Sequence, residues 1–290
     1  MSGVLSSNIA SHALFSTNQI EVCFSDDIGN HRHIRGTGFW IEKNGSHYFV
    51  TNAHNIVPSV KPGPHSGLKL KTLKIRLRAK IVNKWLDETA FCEIELDGHV
   101  NTHQDADVTV INNPKFINKQ EKFAHGWFSS GDIADTQFFI DHLNVMDNAS
   151  FIGFPGKDSL PWYDEKWNLA IARTVNIASH PAIPFSNKGI KTSDVMLVSG
   201  LSFSGSSGSP VLSHTKLGVG AVPELTGAQE PSNWQACLNQ TIRSINNNIT
   251  YPKLIGIMSG HWDDDAESDA FRHSGLSYLT RSTAILGLLT

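Results

Sequence analysis

The sequence predicts an all-β protein built from packed antiparallel barrels. Two observations lead there. Short runs rich in β-branched and aromatic residues recur along the chain, and its 23 glycines and 12 prolines supply breaks for many short strands. Long amphipathic stretches at helical spacing are scarce. No repeat of about 20–50 residues stands out, so a solenoid or propeller is not indicated. With 290 residues, 40% of them hydrophobic, the chain can bury a substantial core, and an all-β protein of this size can be one functional unit.

The elements follow in order. Ile20–Phe24 is the first strand. Gly36–Glu42 and His47–Thr51 form a hairpin, because Asn44-Gly45 between them is a strong turn signal. In the stretch from Lys69 to Lys80, the cations Lys69, Lys71, Lys74, Arg76, Arg78 and Lys80 alternate with Leu70, Leu73, Ile75, Leu77 and Ala79. That is a strand with one solvated face; an acidic partner is the sharper alternative. Phe91–Leu96, Val108–Ile111, Phe138–Ile140, Leu169–Val175 and Val195–Val198 continue the series of strands.

Three segments carry chemistry. Gly205-Ser206-Ser207-Gly208-Ser209-Pro210 places a glycine two residues before Ser207 and another just after it. Such a turn can lift the Ser207 hydroxyl clear of the backbone and aim main-chain N–H groups at a nearby point, as a nucleophile with an oxyanion hole requires. By itself the string also fits a surface loop. A serine nucleophile demands a histidine base and a carboxylate elsewhere. His54 falls where the second hairpin strand ends, in Thr51-Asn52-Ala53-His54, a place suited to a side chain facing a cleft. Asp105-Ala106-Asp107 leads into the apolar run Val108–Ile111, where a buried carboxylate can accept the imidazole Nδ1–H. Asp105 and Asp107 both fit, and Asp107 is preferred because it abuts the strand.

Together these segments resemble the His, Asp and Ser motifs of trypsin/chymotrypsin-fold serine proteases. They come in that family's order, roughly fifty and then a hundred residues apart. The wording is closest to the disulfide-poor HtrA-type branch. Ile152-Gly153-Phe154-Pro155-Gly156, Leu254–Gly260 and Gly275–Arg281 are similar to the family's second-barrel opening strand and its two pocket-lining strands, the last leading to a C-terminal helix. The resemblance spans residues 20–290. It implies two packed six-stranded barrels, an N-terminal one over residues 1–135 carrying His54 and Asp107 and a C-terminal one over 136–290 carrying Ser207, together one peptidase unit. It also implies hydrolysis of peptide bonds by His54, Asp107 and Ser207, with the N–H groups of Gly205 and Ser207 as oxyanion donors and no cofactor or metal. The primary pocket is expected at Leu201, Ser259, Gly260, His261 and Gly275, with apolar Leu201 at its base favouring a medium apolar side chain over Arg or Lys.

Departures from the family sharpen these expectations. Ser206 stands where zymogen-type relatives carry an aspartate that pairs with a freed N-terminal amine, so activation by that route is not expected. Switching by loop ordering or by a protein partner is the alternative. The segment His214–Pro252 replaces a short hairpin; within it Ser232 can cap a helix in which Trp234, Leu238, Ile242 and Ile245 recur at helical spacing. No room for a PDZ domain follows the last strand. A catalytically silent protease-fold peptide-binding protein is the competing reading.

Composition narrows the rest. The formal charge of −3 gives no electrostatic footprint for nucleic acid. Three widely spaced cysteines, Cys23, Cys92 and Cys237, argue against a disulfide framework or zinc site. The acidic run Asp263–Glu267 reads as a solvated loop and lacks the EF-hand pattern. No segment has the length of a membrane span, and Met1–Thr17 lacks the features of a signal peptide. A cytoplasmic protein acting on a protein or peptide substrate is therefore expected.

Overall fold

The computed structural model describes residues 9–27, 29, 31–57, 68–79, 89–95, 100–117, 123–124, 126–157, 160–166, 168–187, 192–217, 249–263 and 273–290. The expected helix at 232–245, and with it Cys237, lies outside the described residues. Among the described residues no helix is long and apolar enough to cross a membrane.

The chain is all-β with few helices. Its N-terminal strands are β1 (Thr17–Ser25), β2 (His31–Lys43), β3 (Ser46–Thr51), β4 (Lys69–Ala79), β5 (Thr89–Glu93), β6 (Val100–Thr102), β7 (Thr109–Asn112), β8 (Phe123–Ala124) and β9 (Phe128–Ser129). They form a nine-stranded sheet of order β5-β4-β1-β2-β3-β7-β6, with β8 on β4 and β9 on β2. The sheet does not close among the described residues, so the expected first barrel is seen there only as an open sheet. An antiparallel bridge, Ile94–Phe116, links the chain after β5 to the chain after β7. The hairpin turn lies where Asn44-Gly45 places it. Both residues have positive φ, 53° and 81°, as a tight turn between paired strands requires.

The C-terminal strands include β10 (Asn148–Gly153), β11 (Gly156–Lys157), β12 (Leu160–Pro161), β13 (Ile171–Ile177), β14 (Val195–Ser199), β15 (Pro210–Ser213), β16 (Lys216–Leu217), β17 (Ile249–Thr250), β18 (Leu254–Asp263) and β19 (His273–Arg281). Six of them close into an antiparallel barrel, β10-β13-β14-β19-β18-β15. A closed barrel beside a second sheet is compatible with a chymotrypsin-like fold.

Four α-helices, α1 (Ile9–Ser16), α2 (Ala53–Ile56), α3 (Thr136–His142) and α4 (Ser282–Leu286), and one 3-10 turn, Ser130–Asp132, complete the described chain. The terminal helix α4 lies where the resemblance puts it. The segment Phe138–Ile140, expected as a strand, belongs instead to α3. Asp135 is the physical reason: its carboxylate accepts the Phe138 N–H at 2.8 Å, an N-cap that starts a helix through this apolar run.

Alternation on β4 is as the sequence suggests, with Leu73, Ile75 and Leu77 buried and Lys74 and Arg76 only partly so. Arg78 breaks the pattern and is 7% exposed. Its Nε and Nη2 both donate to the Asn168 carbonyl, at 3.1 and 2.5 Å. Burial, with the nearby Arg76 charge, pushes its pKa down to about 10.

Three apolar clusters fill the interior. One lies under the N-terminal sheet around Ile20, Trp40, Phe49 and Ile75. Another fills the barrel around Phe151, Val175, Met196 and Val211, and takes in Ala134, Phe139 and Leu143 from either side of the expected domain boundary. The third joins the halves, packing Phe39 and Val110 with Ile152, Leu212, Ile257 and Ile285. The site residues therefore sit on two sheets held by one shared core.

Candidate functional site

β3 ends at Thr51, and one helical turn, α2, follows at once. That turn carries His54 back toward the chain preceding β7. Asp107 is 2% exposed and meets His54 twice. Its Oδ2 lies 2.7 Å from His54 Nδ1, and its Oδ1 accepts the His54 backbone N–H at 3.0 Å. An ionised carboxylate only accepts, so Nδ1 is the nitrogen that carries a proton toward it, and in the neutral ring Nε2 is then the acceptor. Asp105, the competing carboxylate, belongs to an exposed residue whose backbone N–H donates to His103 Nδ1 at 3.2 Å. The structure therefore brings Asp107, and not Asp105, to His54.

The loop bearing Ser207 is clamped on both sides. The Ser207 carbonyl accepts the Thr37 N–H at 2.9 Å and Asn55 Nδ2 at 3.2 Å. The Gly208 N–H donates to Met258 O, and the Met258 N–H to Ser209 O, each at 2.9 Å. Thr37 Oγ1 donates to Gly205 O at 2.7 Å and accepts the Phe154 N–H at 3.1 Å. Gly205 and Gly208 have φ of +85° and +94°, a region that disfavours side chains. A Cβ at Gly208 would overlap the Thr37 carbonyl oxygen, and one at Gly205 would overlap that of Phe154.

Ser206 is fully buried and closes a local turn, its N–H donating to Phe203 O at 2.9 Å. The N–H groups of Gly205 and Ser207 make no hydrogen bond among the described residues. Those two residues line, with His54, a cleft of about 520 Å³. No hydrogen bond joins Ser207 Oγ to His54 among the described residues.

A second, smaller cavity of about 140 Å³ opens beside Ser207. Ser202, Phe203, Met258, Gly260, His261 and Tyr278 line it. Of the five expected pocket residues, Gly260 and His261 face this cavity, while Leu201, Ser259 and Gly275 do not. The Gly200 N–H donates to Gly275 O at 2.8 Å, and Ser277 Oγ donates to Gly200 O at 2.8 Å. With Gly200 pinned, Leu201 turns outward, 43% exposed, and Ser202 turns inward. β18 lines the cavity with Met258, Gly260 and His261, across a register shift that leaves Ser259 fully buried against Asn52 and Thr280. Ser202 and Tyr278 thus line the cavity in place of the expected apolar Leu201. The Phe203 ring forming one wall sits edge-on to Trp162, with the Arg173 guanidinium over it at 4.5 Å.

Several supporting residues escaped the sequence reading. Thr37 and Asn55 hold the Ser207 loop, and Asn52 Nδ2 donates to Asp107 O at 2.8 Å and to Ser259 Oγ at 3.0 Å. Thr37 and Asn52 lie inside segments that the sequence already marks, but only the folded chain names their partners. Among the described residues, no group of three or more His, Cys, Asp or Glu is placed to hold a metal ion. No family model matches the chain, and no curated protein sequence matches it.

Proposed function

We propose that the chain is a serine endopeptidase of chymotrypsin-like fold, the open N-terminal sheet standing for the first barrel and the closed one for the second. The observation that carries the reading is the pairing of His54 Nδ1 with a buried Asp107 carboxylate at 2.7 Å, on a cleft that Ser207 also lines. Ser207 Oγ attacks the peptide carbonyl carbon as His54 Nε2 takes its proton. The oxyanion that forms accepts hydrogen bonds from the Gly205 and Ser207 N–H groups. The C–N bond then breaks, the leaving amine takes the proton from His54, and water hydrolyses the acyl-enzyme by the same steps in reverse. Among the described residues no carboxylate lines the smaller cavity, so nothing there favours an Arg or Lys side chain. Ser206, buried within its own turn, has no charge to pair with a freed amine.

One observation favours the alternative, a protease-fold protein that binds peptides without turning them over: Ser207 and His54 share no hydrogen bond among the described residues. Nucleophile–base contacts are often loose before substrate binds. A fluorophosphonate probe separates the two readings. Labelling of the full chain, lost in Ser207→Ala and His54→Ala, supports the peptidase. A folded chain that the probe leaves untouched, and that cleaves no member of a diverse peptide library, supports the binding protein.

A further inference from the structure

We propose that the larger cleft selects an acidic peptide segment, and that these acids follow the scissile bond. The acid selectivity stands on the cleft's own charges. Its direction rests on the peptidase reading.

Among the described lining residues the two cavities share Ser204 and Ser207 alone. Ser207 is therefore their junction. A peptide with one side chain in the 140 Å³ cavity and its carbonyl at Ser207 continues into the 520 Å³ cleft. On a peptidase, that continuation departs with the leaving amine.

β2 forms one wall of this cleft. Arg32, His33 and Arg35 line it, and all three are exposed. By register they stand opposite Phe24, Cys23 and Glu21 of β1. Glu21 is the only carboxylate in the described lining, and Arg35 Nε sits 3.7 Å from its Oε1. Arg35 is exposed and Glu21 partly so, and at that distance the pair is weak. The Arg32 side chain makes no hydrogen bond or ion pair among the described residues. Among the described lining residues two guanidinium groups stand against one carboxylate, which makes this wall positive. The chain as a whole carries a formal charge of −3, so the basic wall is a local feature rather than a reflection of composition. Arginine forks pair carboxylates through two parallel N–H donors, which suits Asp and Glu side chains over amides of the same shape.

Binding to the Ser207→Ala chain tests the selectivity without turnover. The probes are two fluorescein-labelled nine-residue peptide libraries, one with Asp and Glu at its last four positions and one with Asn and Gln there. The acidic library is expected to bind roughly five- to tenfold more tightly at low salt, with the gap shrinking as salt rises. Adding Arg32→Glu and Arg35→Glu, in a chain whose circular dichroism is unchanged, should remove the gap. Equal binding of the two libraries, or a preference that survives the double reversal, overturns the proposal. On the unmodified chain, cleavage should be favoured by acids placed after the scissile bond and not before it; the opposite preference overturns the direction. Fluorophosphonate labelling, run alongside, reports on the peptidase reading alone. Labelling without acid preference sinks this proposal and leaves the peptidase. Acid preference without labelling or cleavage sinks the peptidase and the direction, and leaves an acidic-peptide cleft.

Discussion

Asn52 Nδ2 donates to Ser259 Oγ at 3.0 Å, tying the end of β3 to β18 and so the N-terminal sheet to the barrel. The same amide donates to Asp107 O at 2.8 Å, and Ser259 Oγ shares a 2.9 Å hydrogen bond with Thr280 Oγ1. Asn52, Ser259 and Thr280 are fully buried and Asp107 nearly so. In a low-dielectric interior the bonds made by the Asn52 amide nitrogen are costly to break, although Asn52 Oδ1 finds no partner among the described residues.

Asn52→Ala removes two buried hydrogen bonds beside the carboxylate that holds His54. It should destabilise the chain by about 1–3 kcal/mol. Urea unfolding followed by tryptophan fluorescence measures this, and an unchanged midpoint would contradict the role given to Asn52.

Asp107→Asn keeps the shape of the side chain but offers an amide where His54 Nδ1–H needs a carboxylate. On the proposed mechanism, kcat falls by about 10⁴-fold, the loss expected from the wrong imidazole tautomer. The thermal melt should stay close to that of the unmodified chain. A variant that keeps near-normal turnover would remove Asp107 from the mechanism.

Gly208→Ala places a methyl group against the Thr37 carbonyl oxygen at a φ of +94°. Relief requires the Ser207 loop to leave its clamp on β2. Strain of this kind costs about 1–3 kcal/mol for the dihedral alone, with the overlap added to it. The variant should melt lower and lose fluorophosphonate labelling even where it is still folded. Full labelling with an unchanged melt would count against the loop geometry.

The described cysteines should differ in reactivity. Cys92 is 3% exposed, and burial raises its thiol pKa. Cys23 is half-buried at β1, its Sγ 3.7 Å from His33 Nε2. Iodoacetamide at neutral pH, followed by peptide mass spectrometry, should modify Cys23 in the folded chain and Cys92 only after denaturation. Equal rates in the folded state would show that β5 opens readily.

Much of this was legible along the chain because it depends on neighbours in sequence. Alternating apolar residues mark β4, Asn44-Gly45 makes a tight turn, and glycines at 205 and 208 take the backbone values that a protruding Ser207 turn needs. These are local constraints. The Phe138–Ile140 run shows their limit. Its composition suits a strand, but the cap from Asp135, three residues before Phe138, sets a helix going.

The sequence by itself determined the β class, the closed barrel's strands and the residues His54, Asp107 and Ser207 as candidates. Only the tertiary structure decided how they are held and what surrounds them. Which of Asp105 and Asp107 meets His54 depends on contact between β3 and β7. Whether Leu201 or Ser202 faces the pocket depends on the phase of an alternating chain, and that phase is set at Gly200 by bonds to Gly275 and Ser277 far along the sequence. Arg78 is buried because Asn168, ninety residues away, presents it a carbonyl. Each outcome is set by a long-range hydrogen bond, and such bonds leave no periodicity in the sequence to read.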